Sequence, residues 1–202
     1  AIITALKALY PDAQCSLDYG KDYELLFSVR LAAQCTDARV NLVTPALFAR
    51  YPTLEAFAEA DVDEVGQYIH SCGFYNGKAR DIVACAQKLV NEYGGRVPGT
   101  MEELTGLPGV GRKTANVVLS VGFGHQRIAV DTHVFRVSNR IGLVDEKDVL
   151  STEKALMKVI PEDQWTVNHH RLIWHGRTLC TARKPQCGEC PLLGICLQKM
   201  GK

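Results

Sequence analysis

The fold of this chain is decided by residues 100–119, which read TMEELTGLPGVGRKTANVVL. Thr100 and Glu103 have the spacing of a capping box, which predicts that a short helix begins here. Gly106 predicts the end of that helix, and the Gly-Pro turn after it predicts a reversal of the chain. A second helical pattern follows over 112–119. The stretch therefore predicts two short helices joined by a tight glycine turn, a helix-hairpin-helix.

The turn of this hairpin favours the binding of an anion. Gly109 and Gly111 have no side chains, so backbone N–H groups can approach an anion closely, and the second helix adds the positive end of its dipole. A backbone phosphate is such an anion, and it can be bound without reading the bases. We therefore expect the hairpin to contact DNA through Leu107, Gly109, Val110, Gly111 and Arg112.

Lys113 lies in the first turn of the second predicted helix, which is an unusual place for a cation. The helix dipole and the neighbouring Arg112 both favour the neutral amine over the ammonium. A neutral lysine is a nucleophile. The alternative is a solvated lysine that contacts a phosphate, and position alone leaves both roles open.

The distribution of charge supports binding of nucleic acid, although the net charge of +1 does not. Residues 1–70 contain five Lys/Arg against ten Asp/Glu. Residues 105–140 contain five basic residues against Asp131 alone, and residues 171–202 contain six against Glu189. Positive charge is thus concentrated on the hairpin and on the C-terminal segment, as phosphate binding requires. Chance clustering of solvated charges is the alternative.

The chain has the composition of an ordinary globular protein without a targeting segment. No apolar run approaches the ~18 residues of a membrane span, and no signal-peptide pattern opens the chain. We therefore expect a reducing compartment, such as a bacterial cytoplasm. There the scattered cysteines Cys15, Cys35, Cys72 and Cys85 would remain reduced small hydrophobes.

Four further cysteines lie within 17 residues, at positions 180, 187, 190 and 196. Thiolates at this density require a metal to neutralise them. Both zinc and a 4Fe–4S cluster accept four sulfurs. Structural zinc usually uses two tight cysteine pairs, and only Cys187 and Cys190 form one here. The spacing favours the cluster over zinc, and the lack of a secretory signal argues against disulfides. Arg183 and Lys184, between the first two cysteines, favour a structural role for the cluster, and a redox-sensing role remains open.

Helical periodicity recurs along almost the whole chain without a convincing strand, which predicts an all-α protein. Pro45 interrupts one helical pattern and predicts a kink or a break. The segment Gly73–Gly77 predicts a turn. Asp131 before Thr-His-Val-Phe predicts an N-cap, with the helix continuing to about Arg140.

Residues 107–119 and 130–137, LPGVGRKTANVVL and VDTHVFRV, resemble the endonuclease III family of DNA glycosylases. The resemblance covers nearly the whole chain. It implies two helical domains flanking a DNA-binding cleft. The first, a six-helix barrel with the hairpin, would span about 15–125. An iron–sulfur cluster domain would combine 1–14 with 126–202.

The resemblance also implies a reaction. Lys113 would attack the sugar of an oxidised pyrimidine nucleotide, form a Schiff base and cleave the strand by β-elimination, while Asp131 would stabilise charge and assist proton transfer. The same C-terminal cysteine spacing binds a 4Fe–4S cluster in that family, through Cys180, Cys187, Cys190 and Cys196 here. The implied partner is double-stranded DNA with a damaged base or an abasic site, bound by a monomer away from any membrane.

Two loops would probe the duplex by resemblance. Gln34 and Asp37 lie on one, and Phe74 lies on the other, where the family commonly has leucine. Their alternatives are polar groups at a helix end for Gln34 and Asp37, and a core position for Phe74.

Further DNA contacts are expected at His133 and, within the cysteine segment, at Arg183 and Lys184. A hydrogen bond at the start of a helix is the alternative for His133. His169 and His170 show no distinct pattern and are interpreted as surface or structural residues.

Two other functions remain open from the sequence. One is a glycosylase of the same family with another substrate, such as pyrimidine dimers or mismatched thymine. Adenine-specific relatives usually lack the lysine at position 113, which argues against that branch. The other is a non-enzymatic DNA-binding iron–sulfur protein.

Overall fold

The computed structural model describes residues 1–198, and this part of the chain is all-α, as predicted, with no strand. Its contacts divide it into two compact units. One unit is Ser16–Phe123, and the other combines Ala1–Cys15 with the chain from Gly124 onward. No helix within the described residues has both the length and the apolar content needed to cross a membrane.

The unit Ser16–Phe123 is built around one long helix, α6, which packs against α4 and α5. Phe27 and Phe57 meet edge-on in its core, with ring centroids 5.0 Å apart. The helices of this unit are α2 (Asp22–Leu31), α3 (Asp37–Arg50), α4 (Leu54–Ala58), α5 (Val62–Ile69), α6 (Tyr75–Tyr93), α7 (Met101–Thr105) and α8 (Arg112–Val117). The last continues as a π-helical turn over Val118–Gly122.

The other unit brings the N-terminal helix against the C-terminal segment. Its helices are α1 (Ile2–Leu9), α9 (Thr132–Arg140), α10 (Val149–Val159) and α11 (Trp165–Thr178). Both α1 and α9 pack on α11, around a core that includes Leu6, Val134, Val137 and Leu172. The hydroxyl of Tyr10 lies 2.8 Å from that of Thr178. This contact joins residues 168 positions apart in the chain.

Six of the eleven α-helices given above begin with a side-chain cap, which is a signal that the sequence shows directly. In each case an oxygen of a Ser-, Thr- or Asp-type side chain accepts the backbone N–H three residues ahead and so satisfies one orphan donor. The capping residues are Thr36, Thr53, Asp61, Thr100, Asp131 and Asp148.

The structure differs from two sequence predictions. The break at Pro45 does not occur, because α3 continues through this residue to Arg50. The turn predicted over Gly73–Gly77 ends early, because α6 has already begun at Tyr75. His169 and His170 are buried in α11, which agrees with the structural interpretation of these residues and not with the surface one. The helices at Pro45 and after Gly73 thus form against the local preference of these residues.

An exposed proline inside a continuous helix gives a test of α3. Pro45→Ala should stabilise the protein by about 1–3 kcal/mol, because alanine restores the missing backbone donor and outweighs the greater freedom of the unfolded chain. Thermal unfolding measures the change. Leu42→Ala, at a 69% exposed position of the same helix, is the control and should change stability by less than about 0.5 kcal/mol. A lower unfolding temperature for Pro45→Ala would contradict the continuous helix.

Candidate active site

The helix-hairpin-helix has the boundaries that its sequence predicts. The Oγ1 atom of Thr100 accepts the N–H of Glu103 at 3.2 Å, and α7 ends at Gly106. Gly111 then precedes α8 as its N-cap. Together with the π-helical turn, α8 gives an unbroken helical run from Arg112 to Gly122.

Gly109 is required at its position by both conformation and space. Its φ is +73°, in the left-handed region that side chains disfavour. A Cβ atom there would lie 2.7 Å from Asp81 and 2.8 Å from Nε of Arg30. The backbone of the hairpin turn therefore packs directly on these two side chains.

Arg30 and Asp81 form an ion pair beneath the turn. Nε and Nη2 of Arg30 donate to Oδ2 of Asp81 at 2.8 and 2.6 Å. The pair joins the end of α2 to α6, so the turn rests on two helices of the unit. Because the arginine neutralises the carboxylate, the turn can approach it without placing an uncompensated negative charge beside an anion site.

Gly111 has a different role from Gly109. Its φ is −95°, which any residue can adopt, and a Cβ atom there would meet nothing within 4 Å. The glycine therefore leaves open space in front of α8 rather than relieving strain. This is the space that an anion at the start of α8 would need.

The hairpin residues differ in what they can offer a ligand. Lys113 is half-buried in the first turn of α8, and Arg112 is exposed beside it. The side chains of Leu107 and Val110 are buried. The N–H of Val110 donates to the Leu107 carbonyl at 3.2 Å. A contact through Leu107 or Val110 is therefore restricted to backbone atoms.

Gln34 and Phe74 lie together on one surface cleft of about 530 Å³. Both have left-handed backbones, with φ of 53° and 47°, which is uncommon for residues other than glycine. Phe74 is 71% exposed, so the core alternative for this residue is wrong. Asp37 does not line this cleft, and its carboxylate accepts the Ser16 hydroxyl at 2.5 Å.

Asp131 and His133 begin α9 in the other unit. Oδ1 of Asp131 accepts the N–H of Val134 at 2.7 Å, so the aspartate is the predicted N-cap, and it is half-buried. His133 is also half-buried. Its Nδ1 accepts from Nη2 of Arg136 at 3.1 Å, because a guanidinium can only donate. Burial lowers the pKa of His133.

All four cysteines of the C-terminal segment line a single cavity, together with Arg140 and His175. Nitrogen atoms lie close to three of the four sulfur atoms. Nη1 of Arg140 lies 3.6 Å from Sγ of Cys180, and Nε2 of His175 lies 3.7 Å from Sγ of Cys190. The backbone N–H of Gln198 donates to Sγ of Cys196 at 3.3 Å. Hydrogen bonds of this kind stabilise metal-bound thiolates.

The cavity brings together the four thiols that a four-iron cluster needs. Zinc draws its four ligands to about 2.0–2.3 Å from one ion. Within residues 1–198, no group of three or more His, Cys, Asp or Glu side chains is placed to hold a single metal ion. A cubane holds its four thiolates around a larger inorganic core, and all four cysteines line one cavity here. Arg183 and Lys184 are exposed on the same segment, where the hydroxyl of Thr181 donates to the Lys184 carbonyl at 2.7 Å.

Comparisons with known proteins identify the family. Residues 27–162 match the model of the HhH-GPD superfamily base excision DNA repair protein, and residues 180–196 match the iron–sulfur binding domain of endonuclease III. The endonuclease III of Synechocystis sp. is 52% identical over 196 residues, which are 96% of this chain and 90% of that protein. The chain belongs to the endonuclease III family.

Two solved structures of endonuclease III are similar to this chain over nearly its whole length. A non-covalent endonuclease III–DNA complex matches with a TM-score of 0.94 at 47% identity, covering 98% of this chain and 92% of that chain. A trapped covalent endonuclease III–DNA intermediate matches with a TM-score of 0.93 at 48% identity, covering 98% and 94%. The protein is thus a DNA glycosylase and abasic-site lyase of base excision repair, with an iron–sulfur cluster.

Sequence reasoning missed three features around the candidate site of this endonuclease III relative. The Arg30–Asp81 pair joins residues 51 positions apart, and no local pattern reveals it. Lys78 is buried, and its spacing of four residues before the core residue Ile82 was an available signal. Arg140 at the cysteine cavity follows Arg136 by four residues, which places both on one face of α9.

The two glycines of the hairpin give a matched pair of substitutions. Gly109→Ala should cost about 1–3 kcal/mol of stability, since its Cβ must displace Asp81 and Arg30. Gly111→Ala should leave thermal unfolding unchanged but weaken binding of duplex DNA in fluorescence anisotropy, since its Cβ enters the open space before α8. Wild-type unfolding for Gly109→Ala, or wild-type affinity for Gly111→Ala, would contradict these roles.

Iron content tests the cysteine cavity. Purified wild-type protein should contain about four iron atoms per chain. Cys187→Ala should lose most of this iron, because one ligand of the cluster is removed. Cys85→Ala removes a buried thiol from α6 and should retain the full iron content. Full iron in Cys187→Ala, or loss in Cys85→Ala, would refute the assignment.

Proposed function

We propose that this protein removes oxidised pyrimidines from double-stranded DNA and cleaves the strand at the resulting abasic site. The observation that carries the proposal is the position of Lys113, half-buried in the first turn of α8 behind a turn that leaves open space. A trapped covalent intermediate between a similar endonuclease III and DNA supports a covalent route.

The reaction requires the nucleotide to leave the base stack, because its sugar cannot be reached inside a duplex. The neutral amine of Lys113 attacks C1′ of the extruded nucleotide. The glycosidic bond breaks, and the base leaves with the bonding electrons and takes up a proton. Opening of the sugar ring gives a Schiff base between Nζ and C1′.

Strand cleavage follows from the same intermediate. The protonated imine acidifies the C2′–H bond, and loss of this proton expels the 3′ phosphate by β-elimination. Water then hydrolyses the imine and regenerates the lysine. We propose Asp131 as the carboxylate that stabilises the cationic sugar and assists the proton transfers of the lysine. The Val134 N–H donates to Oδ1 of Asp131 and holds this residue at the start of α9. This N-cap hydrogen bond uses only one of the two carboxylate oxygens.

The contacts to DNA are also part of the proposal. Backbone groups of the hairpin and Arg112 would bind phosphate, and Gln34 and Phe74 would fill the gap that an extruded nucleotide leaves. Phe74 is exposed and aromatic, so it can stack between bases. His133, Arg183 and Lys184 are proposed as further phosphate contacts. Asp37 would act by holding the loop of Gln34, since its carboxylate accepts the Ser16 hydroxyl.

The proposal also includes the domain bounds, the cluster ligands, the oligomeric state and the cellular compartment. Residues 15–125 would form the six-helix barrel, and residues 1–14 with 126–202 would form the cluster domain. The 4Fe–4S cluster would be held by the four cysteines of the cavity and would fix the segment of Arg183 and Lys184. The protein would act as a monomer in a bacterial cytoplasm.

The second candidate function is removal of a different kind of damaged base. The aromatic residue at position 74 supports testing this function as well. An aromatic side chain at the gap changes stacking against the opposite base. Base release measured across oxidised pyrimidines, pyrimidine dimers and mismatched thymine, with strand cleavage scored separately, decides between the substrates. Release of dimers or mismatched thymine faster than thymine glycol would overturn the proposed substrate class.

Borohydride reduction tests the proposed nucleophile. With DNA that contains thymine glycol or an abasic site, wild-type protein should form a covalent complex that resists denaturation. Lys113→Ala should form none. Lys158→Ala removes an exposed lysine of α10 and should form the wild-type amount. Undiminished trapping by Lys113→Ala would show that another amine attacks the sugar.

A further inference from the structure

Lys78 is a buried lysine of α6 that the reaction described above does not use. It is 1% exposed, and its Nζ donates to the carbonyl of Leu31 at 2.8 Å and to that of Cys72 at 3.1 Å. Burial lowers its pKa. Among residues 1–198, no carboxylate forms an ion pair with it. A buried amine held only by carbonyl oxygens is unusual, because burying an ammonium without an acid is unfavourable.

The two carbonyls belong to the segments that lead into the cleft loops. Leu31 is the last residue of α2, three positions before Gln34. Cys72 ends a 3-10 turn, two positions before Phe74. One amine thus joins two segments that are 41 residues apart in the chain, from Leu31 to Cys72.

Both loops then contain a strained residue. Gln34 and Phe74 have the left-handed φ values, 53° and 47°, and such conformations persist where surrounding structure imposes them. Lys78 lines the same cleft as these two residues. The bonds from its Nζ therefore fix the backbone a few residues before each strained residue.

We propose that Lys78 is a positioning residue that holds the Gln34 and Phe74 loops at the separation needed to fill the gap left by an extruded nucleotide. The inference rests on the proposed function, since it assigns a task within nucleotide extrusion. Lys78 does not touch the reacting atoms in this scheme. It acts through the two loops.

This role predicts a split between the two activities. Extruding a damaged nucleotide means breaking its stacking and pairing, and filling the gap stabilises the extruded state. An abasic nucleotide has no base to unstack, so strand cleavage at a preformed abasic site depends less on the filling residues. Loss of Lys78 should therefore slow base release much more than it slows abasic-site cleavage. A general loss of folded protein would lower both rates equally.

The test compares single-turnover rates of Lys78→Met on two duplexes, one with thymine glycol and one with an abasic site. Methionine has a similar length and cannot donate to the carbonyls. The ratio of base release to abasic-site cleavage should fall by about tenfold or more, with abasic cleavage within about threefold of wild type. Leu89→Ala, a cavity in the same helix, is the control for reduced stability and should leave the ratio unchanged.

Lys78→Gln provides a second variant if Lys78→Met folds poorly, because an amide keeps a donor but is too short to reach both carbonyls. The same fall in the ratio is expected. Equal loss of both activities in both variants, or failure of both to fold, would make Lys78 a core residue only and overturn the inference. If wild-type protein shows neither activity, the proposed function itself fails, which is a separate outcome.

Discussion

The close packing of Gly109 on the Arg30–Asp81 ion pair is the contact on which the candidate site depends. The turn can lie there only because residue 109 has no side chain and accepts a positive φ. The pair in turn joins the end of α2 to the body of α6. The start of α8, and with it the position of Lys113, is therefore determined by the core of its unit rather than by a flexible loop.

A second contact of the same kind supports the cleft loops. Lys78 binds two carbonyls from inside the unit, much as the ion pair supports the turn from below. In both cases a charged side chain of α6 holds a backbone segment that carries candidate DNA contacts. This arrangement places the exposed residues Gln34, Phe74 and Arg112 on supports that ligand binding need not reorganise.

The segment that contains the four C-terminal cysteines is held by α9 at its start and exposes two basic side chains after it. Arg136 and Arg140 reach from α9 to carbonyls of Cys180 and Thr181, so the start of the cysteine segment is tied to the helix that Asp131 caps. Arg183 and Lys184 remain exposed just beyond. A cluster held by this segment fits a structural role, in which it fixes the two cations towards solvent.

Much of the helical fold was accessible from the sequence, because caps and glycines are local signals. Thr100 and Asp131 begin α7 and α9 as predicted, and Gly106 ends α7. Long-range constraints were not accessible. The segment after Gly73 reads as a turn, yet α6 begins at Tyr75, directly after Phe74 in a left-handed conformation. The Arg30–Asp81 pair and the bonds of Lys78 likewise join residues that no local pattern relates.

The most direct test of the central claim is to identify the amino group that becomes attached to DNA. Wild-type protein is reduced with borohydride in the presence of abasic DNA, the DNA is trimmed, and the protein is digested and analysed by mass spectrometry. We expect the sugar remnant on the peptide that contains Lys113, and on that residue alone. A remnant on another lysine or on the N-terminal amine would contradict it.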